Sequence, residues 1–267
     1  MLLVSGIIDK IPYLHVSVFL RYTGMKERLD ILLVEKGMVP SREKARALIM
    51  GGNVLVNGIP VEKAGTLVDP DAAVELKGKE ILYVSRGGLK LEAAIQHFKI
   101  NLMGLIAMDV GSSTGGFTDC MLRNGAARVY CIDVGYGQLD WSLRNDPRVV
   151  LLEKTNIRYL EKGSIHDMLD IATIDVSFIS LKNVLPKVTE FLKENGEILA
   201  LVKPQFEVGK GEVGKGGIVR EEEKRTAAVN SVREFAEGLG LAAEGVFQSP
   251  VPGQKGNREY FLHLRRR

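Results

Sequence analysis

Cysteine is nearly absent from this chain: Cys120 and Cys131 are the two among 267 residues. Two are too few for a disulfide framework, and neither belongs to a C-x-x-C pair. The four histidines, His15, His97, His166 and His263, are scattered without ligand spacing, so no metal site is expected. No apolar run approaches the roughly 20 residues needed to span a bilayer. The first 24 residues are apolar, yet they carry Asp9, Lys10, Pro12 and His15. They lack a basic leading segment and a small-residue cleavage site, so a signal peptide is not expected. These absences predict a soluble, cytoplasmic protein with no membrane partner. A dominant charge is also missing: 36 Lys and Arg stand against 33 Asp and Glu, a net of +3. That balance alone gives no warrant for a nucleic-acid partner.

What is present divides into three styles of sequence. Residues 1–24 read as an extension without repeat or period. From Met25 to residue 77 the spacing of Leu29, Leu32 and Leu33 predicts a helix that Gly37 ends. Ser41 is a good N-cap for a second helix with Ala45, Leu48 and Ile49 buried. Two short strands around Asn57-Gly58 form a hairpin signal, with further strand pieces at Thr66–Val68 and Ala73–Leu76. Residues 78–82 read as a linker. From residue 83 to the C-terminus strands and helices alternate. The expected strands are Ile106–Val110, Arg128–Asp133, Val149–Leu152, Ile171–Asp175, Ile198–Lys203, Leu241–Gln248 and Tyr260–Leu264. Helices are expected at Ser180–Lys193 and Glu221–Glu237, among others. Such alternation predicts an α/β fold with a mostly parallel sheet, and the closeness of the last two strands predicts an antiparallel edge.

The stretch A-M-D-V-G-S-S-T-G-G-F-T-D-C runs a buried strand through Asp109 into a loop, Gly111, Ser112, Ser113, Thr114, Gly115 and Gly116, and then into a helix at Phe117. Glycines let a ligand approach the backbone, and a helix N-terminus favours an anionic group. The loop is neither a Walker A loop nor G-x-G-x-x-G. One strand later Asp133 stands where a carboxylate can accept both hydroxyls of an adenosine ribose. Asn156, after the third strand, is a candidate near the adenine or a turn cap. Loop and carboxylate together indicate an adenosine cofactor, leaving S-adenosylmethionine and a dinucleotide both open.

Four charged residues far apart in sequence stand out. Lys90 sits in S-R-G-G-L-K-L just before the first helix of the large domain. Asp175 and Lys203 end two strands, in I-D-V-S-F and V-K-P-Q-F-E. Glu259 opens the last strand, in N-R-E-Y-F. In an open parallel sheet, ligands bind beyond the carboxyl ends of the strands. A lysine after four apolar residues is costly to bury unpaired.

With these motifs in hand, the chain from Met25 onward resembles the TlyA (hemolysin A) family of ribosomal RNA 2′-O-methyltransferases, and residues 83–267 resemble the FtsJ/RrmJ type of ribose methyltransferase. The resemblance implies a Rossmann-like S-adenosylmethionine methyltransferase sheet, preceded by a small α+β RNA-binding domain. It implies S-adenosylmethionine as the methyl donor and a Lys-Asp-Lys-Glu tetrad at Lys90, Asp175, Lys203 and Glu259. It implies ribosomal RNA or ribosomal subunits as partner, with a cytidine as acceptor. A ribose hydroxyl is a poor nucleophile at neutral pH, and Lys203 as a neutral amine can take its proton. The part R-L-D-I-L-L…S-R-E-K-A-R resembles the S-four-like RNA-binding domain. Residues 26–46 carry six basic and four acidic side chains, against three and five in residues 62–80. Candidate RNA contacts are Lys26, Arg28, Arg42, Lys44 and Arg46, joined by Arg86 beside the tetrad lysine. Arg42 and Arg46 share one helix face, as their spacing requires. Rival readings are a base methyltransferase, a non-catalytic RNA-binding factor and a membrane-lytic haemolysin. The first wants an Asn/Asp-Pro-Pro-aromatic loop where this chain has Asp175-Val176-Ser177-Phe178.

Overall fold

The computed structural model describes residues 26–39, 41–76, 83–209, 211–214 and 216–267, the side chain of residue 254 excepted. The extension 1–24, Met25 and the linker 78–82 lie outside the described residues. The chain forms two compact units, Met1–Glu80 and Ile81–Arg267.

In the first unit, β1 (Glu27–Arg28) leads directly into α1 (Leu29–Glu35), and α2 (Arg42–Met50) follows. Gly37 takes a left-handed φ of 67° just beyond the first helix. Ser41 Oγ accepts from Lys44 N and caps the second. Strands β2 (Val54–Val56) and β3 (Ile59–Pro60) flank Asn57 and Gly58, both at positive φ, the geometry of a tight hairpin turn. Strand β4 (Leu67–Val68) pairs with β1, and β5 (Val74–Leu76) pairs with β2. The pairing of β1 with β4 has no counterpart in the sequence reading, because two residues are too few to show a period. Leu29, Leu32, Leu33, Ala45, Ile49 and Val54 fill a core to which both helices contribute.

The second unit opens with α3 (Arg86–Phe98), capped by Ser85 Oγ on Gly87 N. Then come β6 (Ile106–Val110), α4 (Gly116–Arg123), β7 (Arg128–Ile132), α5 (Trp141–Arg144), β8 (Val149–Leu152) and β9 (Leu169–Ile174). After α6 (Leu185–Thr189) and β10 (Leu192–Val202) follow α7 (Pro204–Glu207), α8 (Glu222–Gly238), β11 (Leu241–Gln248) and β12 (Tyr260–Arg266). The seven strands form one sheet in the order β11-β12-β10-β9-β6-β7-β8. Pairs from β10 to β8 are parallel, and β12 is antiparallel to both of its neighbours. Alternate residues serve opposite faces. Ala107, Val129 and Cys131 pack with α3 and α4, whereas Met108, Tyr130 and Ile132 pack on the side of α6 and α8. The sheet therefore has helices on both faces, the α/β arrangement that alternation predicts.

Two expectations change. The helix expected at Ser180–Lys193 is a 3-10 turn at Leu181–Asn183, the short α6, and then the start of β10. Pro186 fits only a first helical turn, so α6 starts just before it. Leu192 pairs with Leu169 in the sheet, which ends the helix early. Lys90 lies inside α3, in its second turn, because the cap falls at Ser85. Among the described residues, no helix is long and apolar enough to cross a membrane.

Candidate active site

From β6 the chain steps outward to β7 and β8, then returns to β9 on the other side of β6. The sheet order thus reverses at β6, and the loops after β6 and β9 open a crevice at their carboxyl ends. Asp109 pairs with Cys131 and Thr173, and Val110 with Ile132 and Ile174, so the glycine loop leaves β6 beside Asp133 and Asp175. Gly111 has φ 82°, and a Cβ there would stand 2.5 Å from the Asp175 carbonyl oxygen. Only glycine suits that combination.

The four tetrad residues converge as two ion pairs. Lys203 Nζ lies 2.6 Å from Asp175 Oδ1, and Lys90 Nζ 2.7 Å from Glu259 Oε2. Glu259 is buried, with its side chain 2% exposed, and Lys90 is 12% exposed. Lys203 Nζ also donates to Ser177 Oγ at 2.9 Å. All four residues line one cavity of about 210 Å³, together with Ser177, Gln205 and Phe206. Glu207, in α7, accepts from Ser180 Oγ (2.6 Å) and Leu181 N (2.8 Å). That clamps the segment after β10 to the segment after β9, and burial pushes the Glu207 carboxyl above its ordinary pKa. Phe178, at φ 64° and 87% exposed, leans on Phe206 with ring centroids 5.1 Å apart.

Two further cavities share walls with the first. One, of about 240 Å³, is lined by Ser85, Arg86, Lys90, Asp109, Gly116, Phe117 and the loop from Gly111 to Thr114. The other, of about 620 Å³, is lined by Gly111, Ser113, Asp133, Gln138, Asn156 and Phe178, among others. Gly111, Ser113 and Asp175 border all three. Ser112 Oγ is buried with no hydrogen-bond partner among the described residues. Asp133 accepts from Ser113 N and Gly135 N, each at 2.7 Å, which fixes its carboxylate at the rim of the large cavity.

Several predicted residues do more local work than a ligand contact. Asp109 is fully buried and accepts from Thr118 N (2.9 Å) and Thr118 Oγ1 (2.7 Å), tying β6 to the N-terminal turns of α4. Burial pushes its carboxyl up to about 7. Gly115, at φ 94°, lies against Leu143 and Leu139, and Gly116 lies against Ser85 and Gly88. Phe117 is buried against Phe261. Asn156 Oδ1 accepts from Arg158 N and caps a 3-10 turn, while the residue also lines the large cavity. Arg86, an expected RNA contact, is exposed and borders the 240 Å³ cavity.

In the first unit three predicted arginines meet on one buried carboxylate. Arg28 Nε and Nη2 donate to the two Asp30 oxygens at 2.9 and 3.1 Å, and Arg42 Nη2 donates at 3.0 Å. Arg46 Nε lies 3.5 Å away. The Arg28 hydrogen bonds lead in holding the Asp30 carboxyl down at about 2. The three arginine side chains remain 40–53% exposed. Lys26 is exposed, and Lys44 is half-buried on α2.

Ser177, Gln205, Phe206 and Phe178 were not singled out in the sequence. A lone hydroxyl, amide or phenyl in a loop has no period or spacing to mark it. The one available signal was their position within three residues of Asp175 or Lys203.

Residues 83–266 match the FtsJ-like methyltransferase family, and residues 27–74 match the S4 domain. The chain is 47% identical over 241 residues to the 16S/23S rRNA (cytidine-2′-O)-methyltransferase TlyA of Mycobacterium tuberculosis, covering 90% of each. It is 40% identical over 239 residues to Hemolysin A of Brachyspira hyodysenteriae, covering 89% of this chain and 99% of that one. A solved structure described as a hemolysin from Streptococcus thermophilus superposes with a TM-score of 0.73. It is 43% identical, and the match covers 91% of this chain and 89% of that one.

Proposed function

Since the chain belongs to the FtsJ-like methyltransferase family, in its TlyA (hemolysin A) branch, we propose that its two lysine–carboxylate pairs carry methyl transfer from S-adenosylmethionine to the 2′-hydroxyl of a cytidine ribose in ribosomal RNA. The observation that carries this reading is the wall of Gly111, Ser113 and Asp175 common to three cavities. A two-part donor and an acceptor hydroxyl need to meet at such a wall.

The residues fit the donor. Asp133 at the rim of the large cavity suits ribose hydroxyls, with Asn156 toward the base. Ser112, with its unpartnered buried hydroxyl, and Arg86 suit the amino-acid end. When bound, S-adenosylmethionine supplies an electrophilic methyl group on a sulfonium centre. Lys203, as a neutral amine, takes the proton of the ribose hydroxyl. Asp175 steadies the ammonium that results. The Lys90–Glu259 pair also lines the acceptor cavity and fixes the sugar. Exposed Phe178 beside Phe206 offers a ring face to an unstacked base.

The first unit supplies RNA affinity. Arg28, Arg42 and Arg46, gathered by Asp30, present a net positive cluster to phosphates, joined by Lys26 and Lys44. Action on ribosomal subunits implies a cytoplasmic protein. Incubation with methyl-labelled S-adenosylmethionine and isolated subunits, then nuclease digestion to nucleosides, tests the reading. Labelled 2′-O-methylcytidine is expected; label on a base, or none, overturns it.

A further inference from the structure

We propose that Ser177 is a positioning residue for the transfer, its hydroxyl aiming the Lys203 amine at the acceptor oxygen. This deepens the function proposed above and rests on it.

The two groups at Lys203 Nζ act differently. Asp175 Oδ1 lies 2.6 Å away, but it is a buried atom with no hydrogen-bond partner among the described residues. The contact is a charge pair out of hydrogen-bond alignment. Ser177 Oγ, at 2.9 Å, makes the aligned hydrogen bond. An ammonium on a four-carbon stem rotates about its last bonds. A charge pair fixes its distance, and a directed hydrogen bond fixes its orientation.

Orientation matters because of the shape of the neutral amine, which has two N–H bonds and one lone pair. With one N–H given to Ser177, two directions remain for the lone pair, and the negative charge of Asp175 disfavours the one that faces it. Lys203, Asp175 and Ser177 all border the 210 Å³ cavity. In the transfer the ribose O–H bond breaks and its proton passes to the lone pair, giving the ammonium. The oxygen electron pair forms the new O–CH₃ bond as the donor's C–S bond breaks to leave a thioether. A base aimed away from the hydroxyl loses rate without losing affinity.

Both ends of the Ser177–Lys203 bond are held. Lys203 precedes α7, and Glu207 of α7 binds Ser180 Oγ and Leu181 N in the segment after Ser177. Phe178, next to Ser177, packs on Phe206 of α7. The bond thus spans two segments already clamped together.

The test compares Ser177→Ala, Ser177→Thr and Lys203→Ala in the full chain. Ser177 is exposed, so removing its hydroxyl opens no core cavity. Ser177→Ala is expected to lower kcat about ten- to a hundredfold. The KM for RNA should stay within about twofold, and the fall in kcat should exceed any change in the calorimetric S-adenosylmethionine affinity without RNA, since Ser177 also borders the large cavity. Ser177→Thr should restore most of the rate. The charged groups around this amine are Asp175 and the Lys90–Glu259 pair. None is altered, so the loss should persist on the alkaline plateau, where protonation no longer limits the rate. A wild-type kcat in Ser177→Ala beside an inactive Lys203→Ala overturns the inference alone. A loss that vanishes at alkaline pH, or one confined to affinity, overturns it too. A fully active Lys203→Ala overturns the underlying assignment of the base.

Discussion

Val202 and Tyr260 face each other as partners in an antiparallel ladder, so Lys203 leaves its strand beside the point where Glu259 enters the next. One ladder thus delivers one member of each ion pair. The partners come from elsewhere: Asp175 from the parallel neighbour β9, and Lys90 from α3. The two pairs differ in what removing a partner leaves behind.

Glu259→Ala strands the Lys90 ammonium, whose side chain is 12% exposed. Breaking such a pair costs roughly 3–5 kcal/mol, because the remaining charge is uncompensated. Asp175→Asn leaves Lys203 its hydrogen bond to Ser177. Both variants should lose methyl transfer and lower the denaturant midpoint, Glu259→Ala the more, because Glu259 is 2% exposed and Asp175 23%. Equal midpoints would refute the distinction.

Gly111→Ala should weaken donor binding strongly. The new Cβ would stand 2.5 Å from the Asp175 carbonyl oxygen, at a φ of 82° that side chains avoid. Calorimetry with S-adenosylmethionine should give at least about a hundredfold weaker binding, or about 2.7 kcal/mol. Near-normal affinity would mean the loop yields without consequence.

Asp30→Asn separates organisation from field strength. The substitution makes the RNA-binding unit more positive, which by charge alone strengthens binding to phosphates. It also removes the carboxylate on which Arg28, Arg42 and Arg46 converge. Filter binding should give roughly tenfold weaker affinity, about 1.4 kcal/mol. Tighter binding would leave Asp30 no organising role.

Asp109 should make folding stability fall with rising pH. Burial pushes its carboxyl up to about 7, whereas an unfolded-chain aspartate titrates near about 3.9. Between those values the folded state keeps a proton that the unfolded chain has released. The stability linked to that proton is full below about pH 4 and lost as pH rises through about 7. Thermal midpoints of wild type and Asp109→Asn, compared at about pH 5 and pH 8, should move apart in the variant's favour at the higher pH. A constant gap would place the titration elsewhere.

Much of this architecture was legible because buried strands and amphipathic helices carry a period. The runs Ile106–Val110 and Val149–Leu152 appear as strands with the ends read from sequence. The four charged residues stand out at apolar strand ends or a glycine-rich turn, and the resemblance to the family is what groups them as a tetrad. Where the pattern is shorter than its period, reading fails. The strand Glu27–Arg28 has two residues, and Leu192 leaves a helical pattern through a pairing with Leu169 far along the chain. Asp30 reads as an ordinary first-turn acid on α1. Its burial under three arginines depends on α2 packing beside it. Ser177 was invisible for a similar reason: its partner lies 26 residues away.

The acceptor cavity is bordered partly by residues that touch neither of its neighbours: Lys203, Gln205, Phe206 and Glu259. Two of these carry the proposed chemistry, which leaves Gln205 and Phe206 as the side chains that border this cavity alone and take no part in the two ion pairs. Glu207 ties their helix to Ser180 and Leu181. A nucleotide seated beside the two ion pairs would meet these two side chains without a contact to the donor wall in common.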